Sequence, residues 1–149
     1  MLSRLTAAFD RVLPQETGAL GRLFPEAAAL ADAAPAALMA LGLTGQRARA
    51  IVALAGEVAA QRNDLAPTAP LDATLHALRA LPGVGEWTVQ YIAMRALGWP
   101  DAIPVRDAVL VRRLACSRPE ELIERSAAWA PWPAYAVLHL WRRAETEAT

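Results

Sequence analysis

Three side chains of this sequence have the types and spacing that suit chemistry on a positively charged group. Trp87 and Tyr91 are four residues apart, so their rings lie on the same face of a helix. Asp107 follows sixteen residues after Tyr91. Electron-rich rings attract a cation, and an aspartate can stabilise positive charge that develops during a reaction. These residues are therefore candidates for a reaction centre.

Each of the three also has a purely structural interpretation. Two aromatic residues at this spacing belong to a hydrophobic core more often than to a binding site. An aspartate at the start of a helix is favoured by capping and by the helix dipole alone. Capping and catalysis are compatible for Asp107, because both use the same carboxylate. A late group of tryptophans, Trp129, Trp132 and Trp141, would close the other side of such a site.

Residues 81–85, Leu-Pro-Gly-Val-Gly, predict a tight turn between two helices. Proline cannot continue the helical hydrogen-bond ladder, and the two glycines can adopt positive φ angles. The turn directs unpaired backbone N–H groups outward at the positive end of the next helix, which favours a phosphate. The candidate phosphate-binding residues are Gly83, Val84, Gly85 and Thr88.

The helices that position these residues are predicted from composition and from the positions of proline, glycine and N-cap residues. Alanine and leucine dominate, 55% of the 149 residues are hydrophobic, and no segment alternates with period two, so the predicted fold class is all-α in one domain over residues 1–149. The paired helices around the turn occupy residues 72–97, with Asp72 as N-cap, and a glycine- and proline-rich loop over residues 98–107 ends at Asp107. The other predicted helices are 2–12, 26–34, 35–42, 45–62 after the N-cap Thr44, 107–117, one after Ser117, and one from Trp132-Pro133.

Charge and cysteine usage exclude several functions. All fifteen basic residues are arginine and are balanced by fifteen acidic residues, which argues against coating DNA by bulk electrostatics. Without lysine, no side-chain amine can form a Schiff base. The single cysteine, Cys116, excludes a disulfide framework, a cysteine-ligated zinc site and a four-cysteine iron–sulfur cluster. Because no apolar run is long enough to cross a bilayer, we expect a soluble, cytoplasmic protein.

A second glycine turn lies at residues 41–45, with Arg47 and Arg49 in the first turns of the following helix. The favoured interpretation is a helix junction with solvated arginines. The alternative is a second, weaker contact with a nucleic-acid backbone.

Residues 81–91, together with residues 98–107, closely resemble the helix-hairpin-helix motif with which base-excision glycosylases grip a DNA phosphate. Further matching segments are Arg22-Leu23-Phe24-Pro25 and residues 41–48, 101–107 and 129–136. From about residue 10 onward, the chain resembles the C-terminal helical part of the DNA-3-methyladenine glycosylase II family, the alkyl-base DNA glycosylases.

The resemblance implies a role for each site residue. Asp107 is the catalytic carboxylate, and Trp87 occupies the place where strand-cutting relatives carry lysine, which implies a monofunctional enzyme. Trp87, Tyr91 and Trp132 line the base pocket.

The resemblance also implies a monovalent cation, Na⁺ or K⁺, that bridges the hairpin to a DNA phosphate. Its ligands are the backbone carbonyls of Arg79, Leu81 and Val84. No other cofactor is required.

The implied activity is excision of N-methylated purines, such as 3-methyladenine, from double-stranded DNA in base excision repair, with no membrane partner and with association to the bacterial nucleoid. The N-terminal β-rich domain and the first helices of the family are expected to be missing. Because their loss would expose apolar faces, we expect a homo-oligomer or a missing partner segment. The alternatives are a non-catalytic DNA-binding module, an inactive fragment, or a glycosylase for deaminated purines or uracil. His76 and His139 are expected to be structural.

Overall fold

The computed structural model describes residues 2–9 and 23–147, and this part of the chain is helical and contains no β-strand. The prediction of an all-α fold is confirmed. The α-helices are α1 (Leu2–Phe9), α2 (Ala27–Ala31), α3 (Pro35–Ala40), α4 (Gly45–Ala59), α5 (Leu71–Arg79), α6 (Glu86–Arg95), α7 (Ala108–Arg113), α8 (Glu121–Ser126) and α9 (Pro133–Glu147). A short 3₁₀-helix, Ala127–Trp129, follows α8. The last residues of the first predicted helix, 10–12, lie outside the described residues.

The backbone contacts divide the chain into two compact units. The first unit comprises Met1–Asp64 and Ala80–Val84, and the second comprises Leu65–Arg79 and Gly85–Thr149. The loop of the predicted hairpin is therefore counted with the first unit, and its two helices with the second. The single domain expected over residues 1–149 stays a prediction.

In the first unit, α2 and α3 pack against α4 over a small apolar core. Thr44 caps α4 as predicted, since its side-chain oxygen accepts a hydrogen bond from the Arg47 N–H at 3.4 Å. The helix ends at Ala59, earlier than predicted, because Gln61 adopts a left-handed φ of 55°. Around Gln61 the N–H groups of residues 61 and 62 bond to carbonyls 58 and 57 at 3.0 and 2.9 Å, which is a Schellman termination. The buried core residues are Leu5, Leu30, Leu38, Ala48 and Ala55.

In the second unit, α5 packs against α6. The prediction that Asp72 is the N-cap of α5 is wrong, because the Thr74 N–H already bonds to the Pro70 carbonyl at 3.0 Å and the helix begins at Leu71. Asp72 lies in the first turn instead, where its charge still favours the positive end of the helix. Helix α6 ends at Arg95, two residues before the predicted end, and Gly98 has a φ of 67°.

Helix α7 begins directly after Asp107, which is its N-cap, as the sequence predicted. The helix ends at Arg113 rather than near Ser117, because Ala115 adopts a φ of 49°. The same termination as in α4 forms here, with the Cys116 N–H bonded to the Val111 carbonyl at 2.9 Å. Helix α9 begins at Pro133, as expected, and packs against α7. None of the described helices is long and apolar enough to span a membrane.

Candidate active site

The carboxylate of Asp107 is held by three N–H donors. The Leu110 backbone N–H donates to Oδ1 at 2.9 Å, which is the capping bond of α7. The indole of Trp141 also donates to Oδ1, at 3.2 Å, and the indole of Trp87 donates to Oδ2 at 2.9 Å. Hydrogen bonds to a charged acceptor are about twice as strong as neutral ones, so the three donors fix the carboxylate in one orientation. Asp107 is 8% exposed.

The two indoles belong to a cluster of three aromatic rings. Trp87 and Tyr91 stack along α6 with ring centroids 5.2 Å apart and planes 10° from parallel. Trp141, on α9, is tilted by 40° against both, at 6.3 Å from Trp87 and 6.0 Å from Tyr91. Trp87 and Tyr91 remain 39% and 38% exposed. The cluster therefore covers the carboxylate and still offers ring surface to a ligand.

A cleft of about 540 Å³ opens beside Trp87. Its lining residues are Gly85, Glu86, Trp87, Val105 and Arg106. This volume lies within the range of about 300–1,000 Å³ that is usual for small-molecule sites. The exposed Arg106 precedes Asp107 directly, so the cleft combines an indole with a nearby cation.

Residues 96–107, the Asp107 loop, connect α6 to α7 and are bonded to two helices. The Trp99 N–H bonds to the Ala93 carbonyl of α6 at 2.9 Å, and the Ala134 N–H of α9 bonds to the Pro100 carbonyl at 2.8 Å. Further along the loop, the Ile103 N–H donates to the side-chain oxygen of Gln90 at 3.0 Å. Ala102 and Pro104 are fully buried in this loop.

The side chain of Gln90 continues into an ion pair on the surface of α5 and α6. Its amide nitrogen donates to Glu86 Oε1 at 2.9 Å. Arg79 donates to the same carboxylate through Nε at 2.8 Å and Nη2 at 2.9 Å. The hydrogen bonds from Arg79 and then from Gln90 lower the pKa of Glu86 from 4.5 to about 2.

The hairpin loop of the first unit is shaped by its backbone. Gly83 has a φ of 81°, and a Cβ added there would lie 3.2 Å from the Gln46 carbonyl oxygen and 3.3 Å from the Ala50 Cβ. Only glycine meets both constraints without strain. The Val84 N–H closes the turn by bonding to the Leu81 carbonyl at 3.2 Å. The loop thus packs directly on the first turns of α4.

The sequence of this chain is similar to those of known DNA repair proteins. The chain is 39% identical over 148 residues to the probable bifunctional transcriptional activator/DNA repair enzyme AlkA of Mycobacterium tuberculosis H37Rv, a match that covers 95% of this chain and 29% of that protein. It is 36% identical over 120 residues to DNA-3-methyladenine glycosylase 2 of Escherichia coli K12, covering 79% of this chain and 42% of that protein. The resemblance to the DNA-3-methyladenine glycosylase II family is confirmed.

The fold agrees with that resemblance. A solved structure of a 3-methyladenine DNA-glycosylase from Archaeoglobus fulgidus matches 93% of this chain with a TM-score of 0.77 and 20% identity, and the match covers 49% of that chain. The helix-hairpin-helix glycosylase fold is therefore shown. No family model matches the chain. The chain spans less than half the length of each of these relatives.

Of the predicted site residues, the structure brings Asp107, Trp87 and Tyr91 together. Trp132, 56% exposed, makes its ring contact with Tyr135, edge to face at 5.6 Å. The roles of all four residues in an alkyl-base glycosylase stay predictions. Gly85 is the N-cap of α6, and Thr88 lies half-buried in the first turn of that helix.

Sequence reasoning misses one residue of the site, Gln90. It places Trp141 in the group of tryptophans that would close the site, and Trp141 does lie against Trp87 and Tyr91, but its hydrogen bond to Asp107 is not foreseen. Nothing in the sequence distinguished Gln90 from a solvated residue of α6.

The predicted cation ligands lie in both units. The Leu81 and Val84 carbonyls belong to the first unit and the Arg79 carbonyl to the second, so the monovalent-cation site stays a prediction. Among the described residues, no three His, Cys, Asp or Glu side chains are grouped as metal ligands. The two histidines, His76 on α5 and His139 on α9, are exposed rather than packed among apolar neighbours.

Proposed function

We propose that this chain is a monofunctional DNA glycosylase that flips N-methylated purines, such as 3-methyladenine, out of duplex DNA and excises them. The observation that carries the proposal is the Asp107 carboxylate, bound by the indole N–H groups of Trp87 and Trp141 in an aromatic cluster. The names of the relatives support it.

Recognition of the base rests on charge. A purine methylated on a ring nitrogen is cationic, and its glycosidic bond is already weakened. Exposed faces of Trp87 and Tyr91 would attract it more than a neutral base, by about 0.5 to 2 kcal/mol per contact. The base must leave the stack to reach these rings, and unstacking costs least at a damaged pair.

Asp107 would act on the sugar. When the glycosidic bond breaks, its electron pair leaves with the base and the sugar becomes a cation. A fixed carboxylate stabilises that cation or orients the water that attacks it. Because Asp107 is 8% exposed, the sugar must approach its open edge or displace an indole.

Strand cleavage is not part of the proposal. The sequence contains no lysine, so no lysine imine can form with the sugar. Hydrolysis by water alone leaves an abasic site in an intact strand.

The central experiment measures release of methylated purines from alkylated duplex DNA by the wild type, Asp107→Asn and Asp101→Asn. Asp101 is an exposed aspartate of the same loop and is the matched control. We expect Asp107→Asn to abolish release while DNA affinity, recorded by fluorescence anisotropy on the same samples, is unchanged. Asp101→Asn should retain wild-type release.

Three other outcomes would contradict the proposal. Binding without release by the wild type would favour a DNA-binding module, and equal rates of release in Asp107→Asn and Asp101→Asn would show that Asp107 has no specific role in the reaction. A covalent adduct trapped by borohydride would contradict the monofunctional assignment.

A further inference from the structure

We propose that Gln90 is a positioning residue that fixes the Asp107 loop to helix α6 and thereby sets the distance between the carboxylate and the aromatic rings. The effect on reaction rate rests on the proposed function. The restraint on the loop does not, and it is measured separately below.

The bond from the Ile103 N–H to Gln90 joins the Asp107 loop to α6, the helix that carries Trp87 and Tyr91. Gln90 lies on α6 between Trp87 and Tyr91, and Ile103 lies four residues before Asp107. The backbone bonds from the loop to helices α6 and α9 lie in its early part, at Trp99 and Pro100, whereas the bond from the Asp107 N–H to the Pro104 carbonyl stays within the loop. Between Pro100 and Asp107, the loop is bonded to α6 through the Ile103 N–H and the side-chain oxygen of Gln90.

The orientation of the Gln90 amide has a single solution. A backbone N–H can only donate, and an ionised carboxylate can only accept. With Ile103 on one side and Glu86 on the other, Oε1 must face the Ile103 N–H and Nε2 must face Glu86, as observed at 3.0 and 2.9 Å.

Glu86 is itself held in place. Arg79 binds its carboxylate through two parallel N–H bonds, a geometry that restricts both side chains. The chain of bonds from Arg79 through Glu86 and Gln90 to Ile103 therefore begins on α5 and ends in the Asp107 loop. No link in it touches the carboxylate of Asp107.

The consequence for catalysis follows from geometry. Catalytic groups work within narrow positional limits, and a displacement of about 1 Å can cost on the order of a hundredfold in rate. Releasing Ile103 leaves the middle of the loop without its bond to α6. The carboxylate then spends less time at the position defined by Trp87 and Trp141.

Three variants separate positioning from general stability. Gln90→Met keeps the length of the side chain but cannot accept the Ile103 N–H. Gln90→Glu keeps the acceptor but places a second carboxylate beside Glu86. The double variant Glu86→Gln with Gln90→Glu restores one donor and one acceptor between the two positions, and keeps an acceptor for Ile103.

The matched control is Arg118→Met. Arg118 forms ion pairs with Glu121 and Glu124 at 3.7 and 3.1 Å, also in the second unit, and none of these residues bonds to the Asp107 loop. It therefore reports the loss of an exposed polar network that has no connection to the site.

The experiment records three quantities for each variant: amide hydrogen exchange at Ile103, the single-turnover rate of purine release, and the dissociation constant for DNA. We expect Gln90→Met to speed Ile103 exchange and to lower the rate by about tenfold or more, with unchanged DNA affinity. Gln90→Glu should be impaired, and the double variant should recover most of the rate. Arg118→Met should match the wild type.

A wild-type rate in Gln90→Met, or a double variant no better than Gln90→Glu, would overturn the positioning role. Equal losses of the single-turnover rate in Gln90→Met and Arg118→Met would do the same. If the wild type releases no purine, the proposed function fails, and Ile103 exchange alone then decides whether Gln90 restrains the loop.

Discussion

The hairpin loop and the Asp107 site obtain their shapes in different ways. Residues 80–84 are shaped by the backbone, through the positive φ of Gly83 and its packing on Gln46. The Asp107 site is shaped by side chains, since two indoles and one amide fix the carboxylate and its loop. The hairpin loop should be sensitive to the addition of a Cβ at Gly83, and the Asp107 site should be sensitive to the loss of a hydrogen-bonding side chain. We expect changes in the hairpin loop to alter DNA binding and stability, and changes in the Asp107 site to alter the rate of excision.

The largest expected effect is on the side-chain-built site. Trp141→Phe keeps a ring but removes the N–H that donates to Asp107 at 3.2 Å. A hydrogen bond to a charged group contributes about 1.5–3 kcal/mol, so excision should slow by roughly ten- to a hundredfold without loss of DNA affinity. Trp129→Phe, at a tryptophan of the 3₁₀-helix, is the matched control, measured in the same single-turnover assay. An equal loss in Trp129→Phe would contradict a specific role for the Trp141 N–H.

The next effect compares the two hairpin glycines. Gly83→Ala would place a methyl group at a φ of 81° and 3.2 Å from a carbonyl oxygen, whereas Gly85 has a φ of −89° and nothing within 4 Å of its Cβ position. We expect Gly83→Ala to lower the free energy of unfolding by about 1–3 kcal/mol. Gly85→Ala should change it by less than about 0.5 kcal/mol. Urea unfolding measures both, and similar values would refute the backbone argument.

A smaller effect is expected at Arg106, the exposed arginine of the cleft. If it contacts one phosphate, Arg106→Gln should weaken DNA binding equally for damaged and undamaged duplexes. It should also reduce the slope of log affinity against log salt by about one. A titration over a range of salt concentrations measures that slope, with Arg125→Gln, an exposed arginine of α8, as control. A loss confined to damaged DNA would place Arg106 in base recognition instead.

The smallest effect concerns pH. The pKa of Glu86 falls from 4.5 to about 2 on folding, so its stabilising contribution is complete above pH 4.5 and is lost as the pH falls toward 2. Arg79 and Glu86 are 46% and 50% exposed, so solvent screening keeps this contribution below about 1 kcal/mol. Glu86→Gln should therefore reduce the difference between urea midpoints at pH 5 and pH 3. An unchanged difference would show that the pair contributes nothing measurable.

The same contrast explains what the sequence could predict. Turn and cap residues act on their immediate neighbours. The hairpin turn, the Thr44 cap and the Asp107 cap could therefore be predicted from the sequence. Helix ends at Gln61 and Ala115 were predicted too late, because a non-glycine residue in the left-handed region carries no reliable sequence signal. The N-cap of α5 lies two residues before the predicted Asp72, because aspartate is favoured both as an N-cap and in the first turn of a helix.

The individual hydrogen bonds over long separations could not be predicted, although the sequence placed Trp87 and Asp107 in one candidate site. Trp87 and Trp141 reach Asp107 from 20 and 34 residues away, and their meeting depends on how α6, α7 and α9 pack. Helical periodicity places a residue on a face but does not identify the partner of that face. Trp141 was therefore grouped with the late tryptophans and was not assigned to the carboxylate.

The position of Trp141 on α9 ties the site to the order of protein synthesis. The ribosome makes the hairpin, α6 and Asp107 before it makes the residue that supplies the third donor. A chain interrupted before α9 would already carry the hairpin segment but would lack both this donor and the buried α9 residues Ala134 and Val137. The carboxylate can therefore acquire its full set of donors only after α9 has been made and packed against α7.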